Sequence, residues 1–218
     1  MSWGRETLRI TEIFHSIQGE SSQMGRPCSF VRLTGCNLRC VWCDTAYAFH
    51  GGEDMELEEI LRRVGSHGAP LVLVTGGEPL AQAGVHSLIL GLLNLGKEVM
   101  IETGGSLDIS GIDPRVRIVL DLKCPGSGME AKNCWDNLES LKPTDEVKFV
   151  LNDRSDYEWA KRVLRERRLD RHAGVLFSPV FGVLDGRELA EWILQDRLNV
   201  RLQLQIHKLI WPPDRRGV

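Results

Sequence analysis

Short apolar runs alternate with amphipathic stretches along most of the chain. The run "SFVRLTG" (29–35) reads as a strand. In "MELEEILRRV" (55–64), Leu57, Ile60, Leu61 and Val64 repeat at i, i+3, i+4, i+7, the apolar stripe of a helix. "PLVLVTGGEP" (70–79) predicts a buried strand stopped by glycines, and Val85, Leu88, Ile89, Leu92 and Leu93 give 80–95 an apolar helix face. Further strands are expected over 97–105, 116–123, 145–151, 173–180 and 200–208, with helices over 154–168 and 186–194. Ser155 and Glu158 have the spacing of a capping box for the first of these helices. Strands that alternate with helices predict a mostly parallel sheet. About six strands are too few for a closed eight-fold barrel. The expectation is therefore an α/β fold, a partial, open (β/α) barrel, as one domain over 1–218 with no repeat or linker.

The polar residues gather just after these strand ends. They are the cysteine loop after 29–33, Thr75 to Glu78, Glu102 to Gly104, Asp121 with Lys123, Ser178, and His207 with Lys208. Parallel α/β sheets bind their ligands at the carboxyl ends of the strands. Six such clusters in one chain imply a single mouth.

Composition narrows the class. A net charge of -3 and a pI near 6.1 give no electrostatic reason to expect nucleic-acid binding. The basic stretch "KRVLRERRLDR" (161–171) reads as a solvated helix face. The N-terminal "MSWGRETLRITEIF" lacks the apolar run of a signal peptide, and no stretch approaches the ~18 apolar residues of a membrane span. A cytoplasmic protein is expected. In a reducing compartment, clustered cysteines are ligands more often than disulfides.

The stretch "TGCNLRCVWCDT" (34–45) places Cys36, Cys40 and Cys43 in a C-x3-C-x2-C spacing. A disulfide uses two thiols and a structural zinc site four ligands. A [4Fe–4S] cluster held by three thiolates keeps one iron open for an exogenous ligand. The competing zinc reading would recruit Cys28, His15 or His50 as fourth ligand, but it lacks a second arm at zinc-finger spacing. Cys28, Cys124 and Cys134 stand alone and read as packing thiols.

With Trp42 just before the last cysteine and "TGGEP" at 75–79, the chain resembles the radical S-adenosylmethionine (radical SAM) superfamily. The flanks "EIFHSIQGE" (12–20), "GRPCSFVRLTGCNLRC" (25–40), "WCDT" (42–45), "IETGG" (101–105) and "QIHK" (205–208) extend the likeness from residue 12 to about 213. Together they are similar to the 7-carboxy-7-deazaguanine synthase family. That resemblance implies ring contraction of 6-carboxy-5,6,7,8-tetrahydropterin to 7-carboxy-7-deazaguanine, with loss of ammonia. A 5′-deoxyadenosyl radical would start the reaction, SAM would be regenerated, and Mg2+ would assist.

Site residues follow from the same resemblance. Cys36, Cys40 and Cys43 match the cluster ligands and Thr45 the Mg2+ ligand. Trp42, Cys43, Asp44, Gly77, Asp121, Leu122, Lys123, Ser178, Pro179, Val180 and Phe181 match the SAM wall. "DLK" at 121–123 stands where relatives often read Ser-Pro-Lys, and "SP" at 178–179 where they often read Gln-Pro. Ile17, Gln18, Gly19, Arg32, Thr75, His207 and Pro213 match substrate contacts, with Arg32 as the fork for the carboxylate. The chain continues past "WPP" with "DRRGV" (214–218), a departure from relatives that end at the second proline. The expected partners are the pterin, a flavodoxin or ferredoxin reductant and a second copy of the chain. A radical SAM activating enzyme for a glycyl-radical protein is the alternative.

Overall fold

A computed structural model describes residues 6–218. The N-terminal residues 1–5, part of the stretch inspected for a leader, lie outside the described residues. The chain opens with β1 (Thr7–Ile17), β2 (Pro27–Leu33), β3 (Glu53–Glu56), α1 (Leu57–Ser66), β4 (Leu71–Gly76) and α2 (Val85–Asn94). It continues through β5 (Glu98–Thr103), β6 (Arg117–Asp121), β7 (Glu146–Leu151), α3 (Arg154–Arg167), β8 (Gly174–Pro179), α4 (Gly186–Asp196), β9 (Arg201–Leu202) and α5 (His207–Ile210). One nine-stranded sheet has the order β3-β1-β2-β4-β5-β6-β7-β8-β9. It is parallel from β2 through β9, with β1 and β3 added antiparallel at one edge. The edges do not meet, so the barrel is partial and open.

Strand parity places the site. On β4, Val72 and Val74 join the core shared with the helices, whereas Leu71 and Leu73 join a second cluster with Cys28, Phe30, Met100 and Val119. Both faces of these strands are buried. That is why they read as continuous apolar runs rather than alternating ones. The second cluster fills the lower interior of the barrel. One step along the same face toward the carboxyl ends come Arg32, Thr75, Glu102, Asp121 and, on β7, Lys148. Side chains alternate along a strand, so these polar residues share the inner face with the apolar ones beneath them.

The six long parallel strands expected are β2 and β4 to β8. Two further strands, β1 and β3, were not legible. β1 alternates between exposed and buried only over its first four residues and is mostly half-buried beyond them, and β3 is four residues long with one buried. The strand expected over 200–208 shrinks to Arg201–Leu202, and His207 opens the short helix α5. The capping box is also corrected. Asp153, not Ser155, caps α3, its carboxylate accepting the Asp156 N–H at 3.0 Å. Glu158 instead pairs outward with Arg154 and Lys161.

Candidate active site

The carboxyl ends of the strands surround a cavity of about 720 Å³. Every residue matched to the family's site in the sequence lines it, from Ile17 to Pro213.

Cys36, Cys40 and Cys43 lie half-buried on the loop after β2, all as free thiols. The N–H of Leu38 donates to the Cys36 sulfur at 3.4 Å, and the Cys43 N–H donates to the Cys40 carbonyl at 3.2 Å, which tightens the loop. Burial pushes all three thiols up, and Lys123 opposes this for each of them. Among the described residues no three His, Cys, Asp or Glu side chains converge on a point that could hold one ion. Three thiols on one short loop, all lining one cavity, are a donor set that suits a [4Fe–4S] cluster with one iron left open. Cys28 is fully buried in the lower barrel, where burial pushes its thiol up to about 12, and Cys124 lies in the main core. Both are packing thiols.

The glycine turn after β4 is pressed against the cysteine loop. The Gly77 N–H donates to the Leu33 carbonyl at 3.1 Å, and the Glu78 N–H to the Gly35 carbonyl at 2.7 Å. A Cβ on Gly77 would lie 2.1 Å from the Gly35 carbonyl oxygen, so no other residue fits there without moving backbone. The buried Glu78 carboxylate accepts from Leu80 N–H, Thr103 Oγ1 and Gly104 N–H. It locks the turn after β4 to the turn after β5.

Four charged groups meet deeper in the mouth. Lys148, 6 % exposed, pairs with Glu102, with Glu20 at 3.0 Å and with Asp121 at 3.9 Å. Burial alone would drive the ammonium toward neutrality, but the carboxylates overcome it and raise its pKa well above the lysine range. Lys123 joins from the next position with a 2.8 Å contact to Asp121 Oδ2. Asp121 Oδ1 is buried and without a hydrogen-bond partner among the described residues. A buried acceptor left unpaired is costly, so this oxygen is positioned for a donor from a bound molecule.

At the opposite rim, Arg32 Nε donates to Glu12 Oε1 at 2.7 Å, and the Tyr47 hydroxyl donates to the same oxygen at 2.9 Å. Among the described residues the outer nitrogens of Arg32 make no hydrogen bond. Thr75 sits beside Arg32 in register across β2 and β4. Gly19 lies against His207: a Cβ there would meet the imidazole Nδ1 at 2.0 Å, and the Gly19 carbonyl accepts the Ile206 N–H at 3.1 Å. The Thr45 hydroxyl donates to Asp44 Oδ1 at 3.0 Å. Asp44 Oδ2 takes Lys208 at 2.7 Å and Gln205 at 3.2 Å. Burial would raise the Asp44 pKa, but Lys208 dominates and holds it well below the carboxylate range.

Sequence reasoning missed Glu12, Tyr47 and Lys148, and left Glu20 and Glu102 unassigned. Lys148 carried a usable signal. In "EVKFVL" it is a cation at an inner-face position of a buried strand, and such a residue is rare unless paired. Glu12 and Tyr47 carried none, because their meeting depends on the antiparallel strand β1, set between β3 and β2.

The Radical SAM superfamily model matches residues 30–181. Two similar curated proteins are 7-carboxy-7-deazaguanine synthases. The one from Chlorobaculum tepidum is 48 % identical over 97 % of either chain, and the one from Koribacter versatilis is 44 % identical over 97 % of this chain and all of its own. Among solved structures, QueE from Escherichia coli superposes with a TM-score of 0.76 at 25 % identity, covering 91 % of this chain and 94 % of that one.

Proposed function

The chain belongs to the radical SAM superfamily and, within it, to the 7-carboxy-7-deazaguanine synthases, and on that premise we propose the following roles for its residues. The reaction is the ring contraction of 6-carboxy-5,6,7,8-tetrahydropterin to 7-carboxy-7-deazaguanine with release of ammonia, a step of queuosine biosynthesis. The glycyl-radical activating alternative is not favoured by these relatives. When bound, the [4Fe–4S] cluster and SAM supply the one-electron chemistry that initiates the reaction.

The observation that carries the assignment of residues is their convergence. Three half-buried thiols, a glycine turn and an inner-face row of charges open into one cavity of about 720 Å³, a size suited to two small molecules together. Cys36, Cys40 and Cys43 hold the cluster. Lys123, the cation felt by all three thiols, offsets their negative charge once they are deprotonated. The Gly77 turn offers backbone to the amino end of SAM, and Asp121 Oδ1 accepts a hydroxyl or ammonium donor from it. Trp42, Leu122 and the stretch Ser178 to Phe181 complete that wall.

The pterin lies across the mouth between Arg32 and His207. Arg32, oriented by Glu12, forks onto its carboxylate. The backbone of Ile17, Gln18 and Gly19 meets the planar donor–acceptor edge, and Pro213 closes the rim. Thr45, with Asp44 held ionised beside it, offers hard oxygen to Mg2+, which the substrate oxygens complete. A flavodoxin or ferredoxin reductant and a homodimer belong to the same reading.

The test pairs two variants. Cys40→Ala abolishes iron content and SAM cleavage together. Thr45→Ala keeps iron content at the wild-type level while shifting the Mg2+ dependence of turnover to higher concentration. An unchanged Mg2+ response would remove Thr45 from the ligand set.

A further inference from the structure

The segment beyond Pro213 folds back over the mouth, and residues 214–218 line the same cavity as Arg32 and Thr75. Its Arg216 guanidinium stacks 3.9 Å from the centre of the Tyr47 ring, while the Arg32 guanidinium lies 5.9 Å from that same centre. Two cations thus share one aromatic platform. Glu12 is already engaged by Arg32 and by the Tyr47 hydroxyl, and among the described residues Arg216 makes no ion pair. The tail brings a further cation, Arg215, and one acid, Asp214, to the rim. Arg216 is therefore a guanidinium with no carboxylate partner among the described residues, on the aromatic platform it shares with the fork assigned to the substrate carboxylate.

We propose that Arg216 is a substrate-specificity residue. It is a second guanidinium that, with Arg32, clamps the carboxylate of the pterin and selects carboxylated over uncharged pterins. The inference rests on the reading of Arg32 as the carboxylate binder and adds a residue from outside the stretch that resembles the family. Tyr47 is its platform. Stacking on the ring limits the conformations of a long side chain, so less entropy is lost when the anion binds. Arg32, held by Glu12 through Nε, turns its outer nitrogens to one side of the carboxylate and leaves the other side without a donor. A second guanidinium supplies donors to that other side.

The test measures binding rather than turnover, so that it survives failure of the reaction assignment. Dissociation constants for 6-carboxypterin and for 6-hydroxymethylpterin are compared in the reconstituted wild type, Arg216→Gln and Arg216→Lys, with SAM affinity measured alongside. Arg216 is exposed and outside the core, so the substitutions leave the fold intact. The expected result is roughly a tenfold loss for 6-carboxypterin in Arg216→Gln, partial recovery in Arg216→Lys, and unchanged affinity for the hydroxymethyl compound and for SAM. Equal weakening of both pterins would overturn the proposal, since it would show a steric strap rather than charge selection. Loss confined to SAM would assign the cation to the SAM carboxylate and overturn it too. No change in any constant would also overturn it. If wild type binds 6-carboxypterin selectively but forms no product, the reaction assignment falls while the Arg216 result stands.

Discussion

The Glu78 carboxylate accepts the backbone N–H of Gly104 at 2.7 Å, joining the turn after β4 to the turn after β5. With Thr103 Oγ1 at 2.8 Å and Leu80 N–H at 3.1 Å, three donors point at one buried acid. Glu78→Gln turns an amide NH2 toward these donors. It should cost about 1–3 kcal/mol, the penalty for a mismatched buried polar group, and lower Tm by several degrees, at roughly 2–4 °C per kcal/mol for a chain of this size. Because Gly77 precedes Glu78, SAM affinity should fall about tenfold with iron content unchanged. Equilibrium dialysis with labelled SAM checks this. A lowered Tm with unaltered SAM affinity would confine Glu78 to a structural role.

Lys148 touches Glu20, Glu102 and Asp121 together. Lys148→Met leaves those carboxylates facing one another in a buried mouth. The expected loss is about 3–5 kcal/mol, the range for breaking a buried pair on one side, or roughly a 10 °C fall in Tm. Burial already pushes the Glu102 carboxyl upward, and without Lys148 it rises further. A raised folded pKa means that stability is lost as pH rises through it. The variant should therefore recover part of its deficit on going from pH 8 to pH 5, as read by circular dichroism melts. A deficit independent of pH would show that packing, not charge, explains it.

His207 behaves in the opposite sense. Its burial lowers the imidazole pKa below 6.5, with Lys208 and Arg32 adding to the effect against the pull of Glu20 and Asp44. The neutral ring is the folded form at pH 7. A depressed folded pKa gives a stability contribution that is complete above about 6.5 and is lost as pH falls through the folded value. His207→Asn should thus flatten the decline in Tm between pH 6.5 and 5. An acid limb identical to that of wild type would contradict a buried neutral imidazole at this position.

Much of this architecture is written in the apolar runs. β4, β5 and β6 are buried on both faces, so their sequences are unbroken and their ends are marked by glycine or by charge. The cysteine loop and "TGGEP" were legible for the same reason: local spacing encodes local chemistry. What could not be read depends on distant contacts. β1 pairs antiparallel with β2 and brings Glu12 opposite Arg32, a register that no local pattern announces. The expected strand at 200–208 failed because alternation in "RLQLQIHK" also suits a short strand followed by a turn into α5. The tail read as a mere extension, since its meaning comes from a ring, Tyr47, far back in the chain.

The most direct test of the account is an anaerobic incubation of the reconstituted protein with dithionite, SAM, Mg2+ and 6-carboxy-5,6,7,8-tetrahydropterin, followed by mass spectrometry. The account predicts 7-carboxy-7-deazaguanine and ammonia in equal amounts with little net consumption of SAM. Cleavage of SAM to 5′-deoxyadenosine with the pterin intact would contradict the substrate while leaving the superfamily in place.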